Sequence, residues 1–408
     1  MTKQLKVLFV FLLVLIAFNF FEARFLSKNI NIYFWFLYIA FSIALSLPFI
    51  FRKRQGFVLP IQLIFLSMLI SIFMAYISWG QSIMNSILAT VPYMLWIFFF
   101  YLLEIKIPIK TIEKIILIYG IIYIILYFYQ FTHPDPILFG YGDEFSEEGR
   151  GIIRIRFPGG GIFYLASFMA INKLTTQKDK RWLWFLLSIL GVVVCVMQVN
   201  RQDIFTLSLL FFYHLVKNLA IFKKIIVIIS FIGLLFFLKF LYNSNNPIVN
   251  GIVEQQKSDI QAGENNIRVI EGIYFLTEFS PNNISRIFGN GVPYALETEY
   301  GLFVDKLTNE QGFYFSDVGI IGMYAMFGIL SVFAYILIWI KSFTLPIPKE
   351  FNYVKYYLWY LLITSLTSYY VFHSRYLIAT VFALYIYQTI YEKEKKTLIL
   401  NHRSTGNI

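Results

Sequence analysis

Arginine is the residue of this chain whose type and placement point most clearly to chemistry. Seven arginines lie in polar segments beside long apolar runs, and three of them fall within 150–156. A guanidinium group is planar, permanently charged and able to bind a phosphate through two parallel hydrogen bonds. The seven are Arg150, Arg154, Arg156, Arg201, Arg268, Arg286 and Arg375. We predict that the first six bind a phosphate-bearing ligand. Pairing with nearby acids such as Glu147, or with lipid headgroups, is the alternative.

Two carboxylates are candidates for a catalytic base. Glu271 follows Arg268 by three residues, so the two side chains share a face if this segment is helical. In that case Arg268 would hold a phosphate while Glu271 orients or deprotonates an acceptor hydroxyl. Asp317, which precedes a long apolar run, is the other candidate. The alternatives are an ordinary surface ion pair for Glu271 and a helix N-terminal acid for Asp317.

Other reaction classes lack their residues in this sequence. The four histidines and the single cysteine, Cys195, are scattered, and no Asp-x-Asp pair occurs, so no metal centre is predicted. The chain contains neither a GxxxxGKS/T phosphate loop nor a GxSxG nucleophile. We therefore expect catalysis without a metal and without a cofactor. Cys195 lies inside an apolar run, where helix packing is its expected role.

Apolar helices must position these side chains. The 408 residues are 58% hydrophobic and 14% charged, whereas soluble domains average about 45–50% apolar and about 25% charged. Runs of about 18–25 apolar residues, long enough to cross a hydrocarbon core of ~30 Å, recur along the chain. We predict an all-α polytopic membrane protein with one transmembrane domain, residues 1–408, and about twelve transmembrane helices. The predicted spans lie near 6–22, 30–51, 57–77, 84–104, 112–132, 158–174, 181–198, 203–217, 222–242, 317–341, 352–371 and 375–391.

The charges between these spans predict the orientation. With a cytoplasmic N-terminus, 22 of the 34 Lys and Arg residues lie inside, and 17 of the 23 acidic residues lie outside. Cytoplasmic loops are enriched in Lys and Arg, so both termini are expected in the cytoplasm. The net charge of +11 then reflects topology, and no nucleic-acid partner is predicted.

Two long segments are predicted to lie outside the membrane, 133–157 and 243–316. In the second segment, the apolar spacing predicts a surface helix over 265–279 that lies against the membrane or over a cavity and ends at Ser280-Pro281. The sequence Phe288-Gly289-Asn290-Gly291 predicts a tight turn whose glycines let the backbone approach a ligand closely.

Arg201 lies in a very short polar link, Val199-Asn200-Arg201-Gln202-Asp203, between two apolar runs. A charge near membrane depth usually faces the bundle interior or a water-filled cavity and marks a functional site. The alternative is that Arg201 extends to the membrane interface, with Asp203 as its partner.

Together these features resemble the O-antigen polymerase (Wzy-type) family, which is related in fold to O-antigen ligases. The resemblance rests on about twelve helices, two large arginine-rich exterior loops and the Asn200-Arg201-Gln202 link. In the first loop, ten residues separate Arg150 from Gly161, a spacing found in these polymerases.

The second loop departs from that spacing, because Phe279 and Glu297 stand eleven positions after Arg268 and Arg286. Phe288-Gly289-Asn290-Gly291, followed by residues 316–322, nevertheless resembles the later segment of the polymerases. The related ligases carry a histidine shortly before the tenth helix, and residues 311–317 contain none, which favours a polymerase.

The resemblance implies a GT-C-like fold in the bacterial inner membrane. It implies transfer of a growing glycan from undecaprenyl pyrophosphate to the next lipid-linked repeat unit, at the outer leaflet. Arg154, Arg201 and Arg268 would bind the pyrophosphate, and Glu271 or Asp317 would activate the acceptor. The product would be O-antigen or a related surface polysaccharide. The implied partners are undecaprenyl-pyrophosphate-linked oligosaccharides, the lipid bilayer, and the chain-length regulator and flippase of the same pathway.

Three other interpretations remain open from the sequence. The first is an O-antigen ligase. The second is a lipid-linked oligosaccharide flippase, although such transporters are built from related halves with short loops, which this sequence does not display. The third is a scaffold for an envelope assembly complex, against which the charged link at Arg201 argues.

Overall fold

The computed structural model describes residues 3–26, 28–53, 55–142, 155–243, 253, 257, 260–261, 263, 266–294 and 298–405. These residues are predominantly helical, as the sequence predicts, and contain almost no sheet. The first helices are α1 (Lys3–Ala17), α2 (Asn19–Glu22), α3 (Lys28–Ser46), α4 (Val58–Trp79), α5 (Ile83–Thr90), α6 (Phe98–Ile105) and α7 (Ile109–Thr132). A two-stranded hairpin follows, made by β1 (Tyr141–Gly142) and β2 (Ile155–Arg156).

The second half of the chain continues the helical pattern. Its helices are α8 (Gly160–Thr176), α9 (Arg181–Met197), α10 (Arg201–Asn218), α11 (Ile221–Asn243), α12 (Ile267–Thr277), α13 (Asn283–Phe288), α14 (Glu299–Lys306), α15 (Ile320–Thr344), α16 (Asn352–Thr364) and α17 (Ser374–Thr405). Short 3-10 segments occur at Leu47–Phe49, Tyr93–Ile97, Lys349–Phe351 and Tyr369–Val371, and a π turn at Leu307–Gln311.

Helix α8 is the centre of the bundle, packed against α7, α9, α16 and α17. Small residues let these helices approach closely. A Cβ added at Gly120 of α7 would lie 2.5 Å from the Ala166 Cβ, and one at Gly161 would lie 2.9 Å from the Tyr376 Cα. Close backbone approach through small residues is typical of helix pairs in membrane proteins. Cys195 is buried in α9 and thus lies in the core, as expected of a packing residue.

Three described helices are long and apolar enough to cross a membrane by length and composition, namely α4, α7 and α15. A fourth span results if the bent pair Ile83–Thr90 and Tyr93–Ile105 counts as one. Apolar helices of 10–17 residues also occur at Gln4–Ala17, Tyr33–Phe49 and Arg181–Met197. Each of the twelve predicted segments contains helix, whereas their crossing of a membrane stays a prediction.

Four predicted spans are interrupted in the structure, and one of them is 317–341, where α15 breaks at Gly328. The segment 84–104 bends by 59° around Val91-Pro92, where proline has no N–H for the helical ladder. The segment 6–22 leaves the right-handed helix after Ala17, because α2 is a left-handed turn with φ between 49° and 57°. The segment 352–371 is α-helical only to Thr364 and ends in the short 3-10 turn Tyr369–Val371.

The predicted segment 243–316 is partly helical and shares a small apolar core with α4 and α15. Phe275 and Phe279 pack there with Tyr300, whose ring stacks on Trp79 of α4 at 4.7 Å. The surface helix predicted over 265–279 is present as α12, with Glu271 and Phe275 on its buried face. Its other face exposes apolar side chains, namely Ile267, Val269, Ile270, Ile273 and Leu276.

The predicted turn at 288–291 has the expected backbone, with φ of 84° at Gly289 and 77° at Gly291. The close approach it makes is to helices rather than to a ligand cavity. Helix α15 is broken at Gly328, where φ is 75°, and the Ala325 and Met326 carbonyls accept hydrogen bonds from the N–H groups of residues 290 and 291 at 2.9 and 2.8 Å. The turn therefore satisfies carbonyls beside the helix break.

Candidate functional site

A cavity of about 520 Å³ lies where the hairpin, the link before α10 and the segments before α15 and α17 meet. Parts of both predicted exterior segments line it, including Tyr141 from 133–157 and Ser316 from 243–316. The residues of the short polar link, 198–203, form one wall. Polar segments far apart in sequence thus meet at one site.

Four arginines line this cavity, each from a different element. They are Arg156 on β2, Arg201 at the start of α10, Arg268 in the first turn of α12 and Arg375 in the first turn of α17. Such an arrangement places several permanently charged, planar donors around one cavity and is suited to an anion with several oxygens.

Arg375 is held by groups from the first part of the chain. Its Nη1 donates to the Tyr141 hydroxyl at 3.0 Å, and its guanidinium lies 5.2 Å from the centre of the Tyr141 ring. Its Nη2 forms an ion pair with Glu22, which the left-handed turn α2 presents. Tyr141 pairs with Arg156 across the hairpin, so the hairpin fixes two of the four arginines relative to each other.

A buried carboxylate anchors the wall beside Arg201. Asp203 is 1% exposed and accepts hydrogen bonds of 2.8 Å from the hydroxyls of Tyr164, Tyr360 and Tyr370. The side-chain amide of Asn200 donates to the same carboxylate at 2.8 Å. Because these tyrosines come from three separate segments, Asp203 connects the α10 start to α8 and α16.

The side-chain amides of Gln198 and Gln202 form hydrogen bonds that hold the rest of the link to the bundle. The Gln198 amide donates to the Tyr123 hydroxyl at 2.9 Å. The Gln202 side-chain oxygen accepts from Thr367 and, at 2.8 Å, from Ser368. Hydrogen bonds therefore hold the backbone to the bundle on both sides of Arg201, and they fix the position from which the Arg201 side chain extends.

The two predicted bases occupy different positions. Asp317 lines the cavity and accepts a hydrogen bond from the Ser316 hydroxyl at 3.2 Å. The backbone nearby is fixed at Gly319, where φ is 51° and an added Cβ would lie 2.7 Å from the Ser365 carbonyl carbon. This contact holds the start of α15, and with it Asp317, against the segment 365–368.

Glu271 is not among the residues that line the cavity. It is 1% exposed, and its carboxylate accepts the backbone N–H of Tyr314. The pKa of Glu271 is raised to about 8, mainly by burial; the Tyr314 N–H and the charge of Arg268 act to lower it, and the charge of Asp317 acts to raise it. Arg268 is exposed, and within the described residues no ion pair joins it to Glu271, so the alternative of an ordinary surface ion pair does not hold.

The remaining predicted arginines lie elsewhere. Arg286 is exposed on α13 and is not among the residues of the cavity. Its Nη2 donates at 2.8 Å to the Thr277 carbonyl, the last residue of α12, and so satisfies a helix-end acceptor. Arg150 and Arg154 lie outside the described residues.

The sequence interpretation missed the role of Asp203, which it considered only as a partner for Arg201. The three tyrosines that bind it lie far away in sequence, and the chain contains 29 tyrosines, so no local pattern marks these three. The one available signal was an acidic residue at the start of a predicted apolar span. That signal is ambiguous, because the helix dipole also favours an acidic residue in the first turn of a helix.

The described residues contain no group of three or more His, Cys, Asp and Glu side chains placed to hold a metal ion. The cavity instead combines a cluster of guanidinium groups with an Asp317 carboxylate at its wall. This arrangement can bind a polyanion and place a base beside it. Comparison with protein-family models and with characterised proteins finds no match for this chain, so the family resemblance stays a prediction.

Proposed function

We propose that the chain is a membrane-embedded glycosyltransferase that polymerises oligosaccharide repeat units carried on undecaprenyl pyrophosphate. The observation that carries the proposal is the convergence of Arg156, Arg201, Arg268 and Arg375 on one cavity beside Asp317. A pyrophosphate has several anionic oxygens, and fork-shaped donors from four directions can bind them together.

The proposal places about twelve helices across the bacterial inner membrane, with both termini in the cytoplasm and the cavity at the outer leaflet. The helical bundle, the apolar spans and the charge asymmetry between loops support this topology. A cavity at that depth admits a substrate whose polyprenyl tail stays in the bilayer while its pyrophosphate and sugars reach the polar segments.

In the proposed reaction, the acceptor hydroxyl of one lipid-linked unit attacks the anomeric carbon of the growing glycan. The bond from that carbon to the pyrophosphate oxygen breaks, and its electron pair remains on undecaprenyl pyrophosphate. The arginines stabilise this leaving charge. Asp317 accepts the hydroxyl proton, because it lines the cavity. Glu271, buried against Tyr314, acts as a positioning residue for the segment that carries Asp317.

The test is an elongation assay with purified protein and a lipid-pyrophosphate-linked repeat unit from its host, with and without a chelator. The expected result is a ladder of longer products that survives the chelator. Arg268→Ala removes a cavity guanidinium and should slow elongation by about 100-fold. Arg286→Ala is the matched control, because it removes the same charge from the same segment outside the cavity.

Equal losses in the two variants would show that the cavity arginines have no special role. A transporter of the same lipid is the main competing function, since it too would bind pyrophosphate. If the intact protein formed no ladder but moved the lipid between the leaflets of a vesicle, the glycosyltransferase proposal would be replaced by that one.

A further inference from the structure

A second cavity, of about 780 Å³, lies at the opposite end of the same helices. On α8, Gly160 lines the first cavity and Lys173 lines the second, about 20 Å away at 1.5 Å per residue. On α17, Tyr376 lines the first and Glu392 the second, about 24 Å apart by the same rise. The two cavities are therefore separate sites at opposite ends of the bundle.

The lining of the second cavity combines apolar residues, here called its floor, with exposed lysines, here called its rim. Its floor includes Leu103, Ile107, Pro108, Ile109 and Phe351. The basic side chains are Arg52, Lys106, Lys110, Lys173, Lys393 and Lys396. Three acids, Glu113, Glu350 and Glu392, also line it, which leaves a net charge of +3 among the described lining residues.

Two of the acids already form ion pairs with basic residues of the same lining. Glu113 forms an ion pair with the buried Lys173 at 2.7 Å and accepts the Tyr353 hydroxyl at 2.9 Å. Glu392 pairs with Arg52 at 2.9 Å. These pairs fix the wall and leave the lysines at the rim to face an external anion.

The rim lysines come from two elements that meet at the cavity. Lys106 lies in the turn between α6 and α7, Lys110 lies in the first turn of α7, and Lys393 and Lys396 lie in the C-terminal half of α17. All four are exposed, and within the described part of the chain none of the four forms an ion pair within 4 Å. Their charge is therefore available to a ligand.

We propose that this cavity binds the phosphate headgroup of an anionic phospholipid, with the lysines around the phosphate and the upper acyl chain against the apolar floor. This inference rests on the membrane location given under the proposed function, which places the cavity at the cytoplasmic leaflet. Basic pockets between helices on that side bind anionic lipid headgroups. A soluble phosphate would use the lysines but would leave the apolar floor exposed to water.

The test measures lipid binding to the full-length purified protein in detergent, by native mass spectrometry with dioleoyl phosphatidylglycerol and dioleoyl phosphatidylcholine. We expect phosphatidylglycerol to bind preferentially. The double variant Lys110→Gln/Lys396→Gln should weaken that binding by about tenfold or more, because two rim charges are lost. Lys114→Gln/Lys395→Gln is the matched control, with the same charge change on the same two helices outside the cavity.

Competition with glycerol 1-phosphate separates a lipid site from a soluble-anion site. A lipid site should keep its phosphatidylglycerol when that water-soluble headgroup is in excess, and displacement would overturn the assignment to a lipid. Equal weakening in the two double variants, or equal binding of phosphatidylcholine, would also overturn it. The readout requires no enzymatic activity, so failure of the elongation assay leaves this test intact.

Discussion

The Asp203 carboxylate accepts a hydrogen bond from the Tyr370 hydroxyl at 2.8 Å, joining the first turn of α10 to the segment that precedes α17. Tyr370 in turn stacks on Tyr376 at 4.1 Å between ring centres, and both rings line the cavity. A single buried acid therefore connects the wall that carries Arg201 with the wall that carries Arg375. The geometry of the arginine cluster depends on this connection.

Replacing Asp203 by Asn should destabilise the protein. Asp203 accepts bonds on both carboxylate oxygens, whereas Asn offers one acceptor and turns a donor toward at least one tyrosine hydroxyl. A buried polar group left unsatisfied costs about 1–3 kcal/mol, and we expect a loss of that size. Thermal unfolding of the purified protein in detergent measures it.

Asp179→Asn is the control for that change, because Asp179 is exposed in the turn before α9. It should unfold at the wild-type temperature. If Asp203→Asn also unfolded at that temperature, Asp203 would not be the structural connection between the two walls.

The buried Glu271 should make stability depend on pH. Its pKa is about 8 in the folded chain and 4.5 in its ordinary state. Between about pH 4.5 and pH 8 the folded chain keeps a proton that the unfolded chain has lost, so the free energy of unfolding declines as the pH rises through this window. Glu271→Gln retains an acceptor for the Tyr314 N–H and should remove this part of the slope.

Melting temperatures collected from pH 5 to pH 9 on wild type, Glu271→Gln and Glu278→Gln measure this effect. Glu278 lies just past α12 and is exposed, so its substitution should leave the slope unchanged. An unchanged slope in Glu271→Gln would mean that Glu271 does not hold a proton in the folded chain.

The sequence predicts the helices well, because apolar runs of about 18–25 residues are longer than ordinary strands and have the length of long apolar helices. It predicts their breaks poorly. The bend between α5 and the following helix has a cause in the sequence, namely Pro92. The left-handed turn at Asn19–Glu22 contains no glycine, the residue that usually marks a positive φ, so the sequence gives no sign of it. That turn forms where the chain presents Glu22 to Arg375, a contact between the two ends of the sequence.

The cavity arginines illustrate what local sequence can and cannot give. Arg156, Arg201 and Arg268 were predicted to bind one ligand, and the structure brings them to one cavity. Arg286 belongs to the same sequence group, but α13 turns it toward the end of α12. The orientation of a six-residue helix depends on tertiary packing, which cannot be predicted from the composition of the segment.

Tyr141→Phe should weaken substrate binding at the proposed site. It removes the hydroxyl that accepts from Arg375 at 3.0 Å and keeps the ring beneath the guanidinium. The hydrogen bond is worth about 1 kcal/mol, so we expect an apparent affinity for the lipid-linked substrate about fivefold lower. The elongation assay at varied substrate concentration measures it.

The maximal rate should be retained in that variant, since Arg375 remains beside the ring. Tyr129→Phe provides the comparison, because Tyr129 lies on α7 and is not among the cavity residues. Identical affinities in the two variants would mean that the Tyr141 hydroxyl does not position Arg375 for the substrate.

The turn at 288–291 should tolerate no side chain at Gly289. There φ is 84°, and an added Cβ would lie 2.7 Å from the Met326 carbonyl carbon. Gly289→Ala therefore combines backbone strain with a contact that only a shift of α15 can relieve, and we expect the free energy of unfolding to fall by about 2–4 kcal/mol.

Gly233→Ala is the control, because a Cβ at Gly233, within α11, meets nothing within 4 Å. Alanine favours a helix over glycine, so that variant should be unchanged or more stable by up to about 1 kcal/mol. Thermal unfolding of both variants in detergent measures the difference, and similar melting temperatures would contradict the packing of this turn on the broken helix.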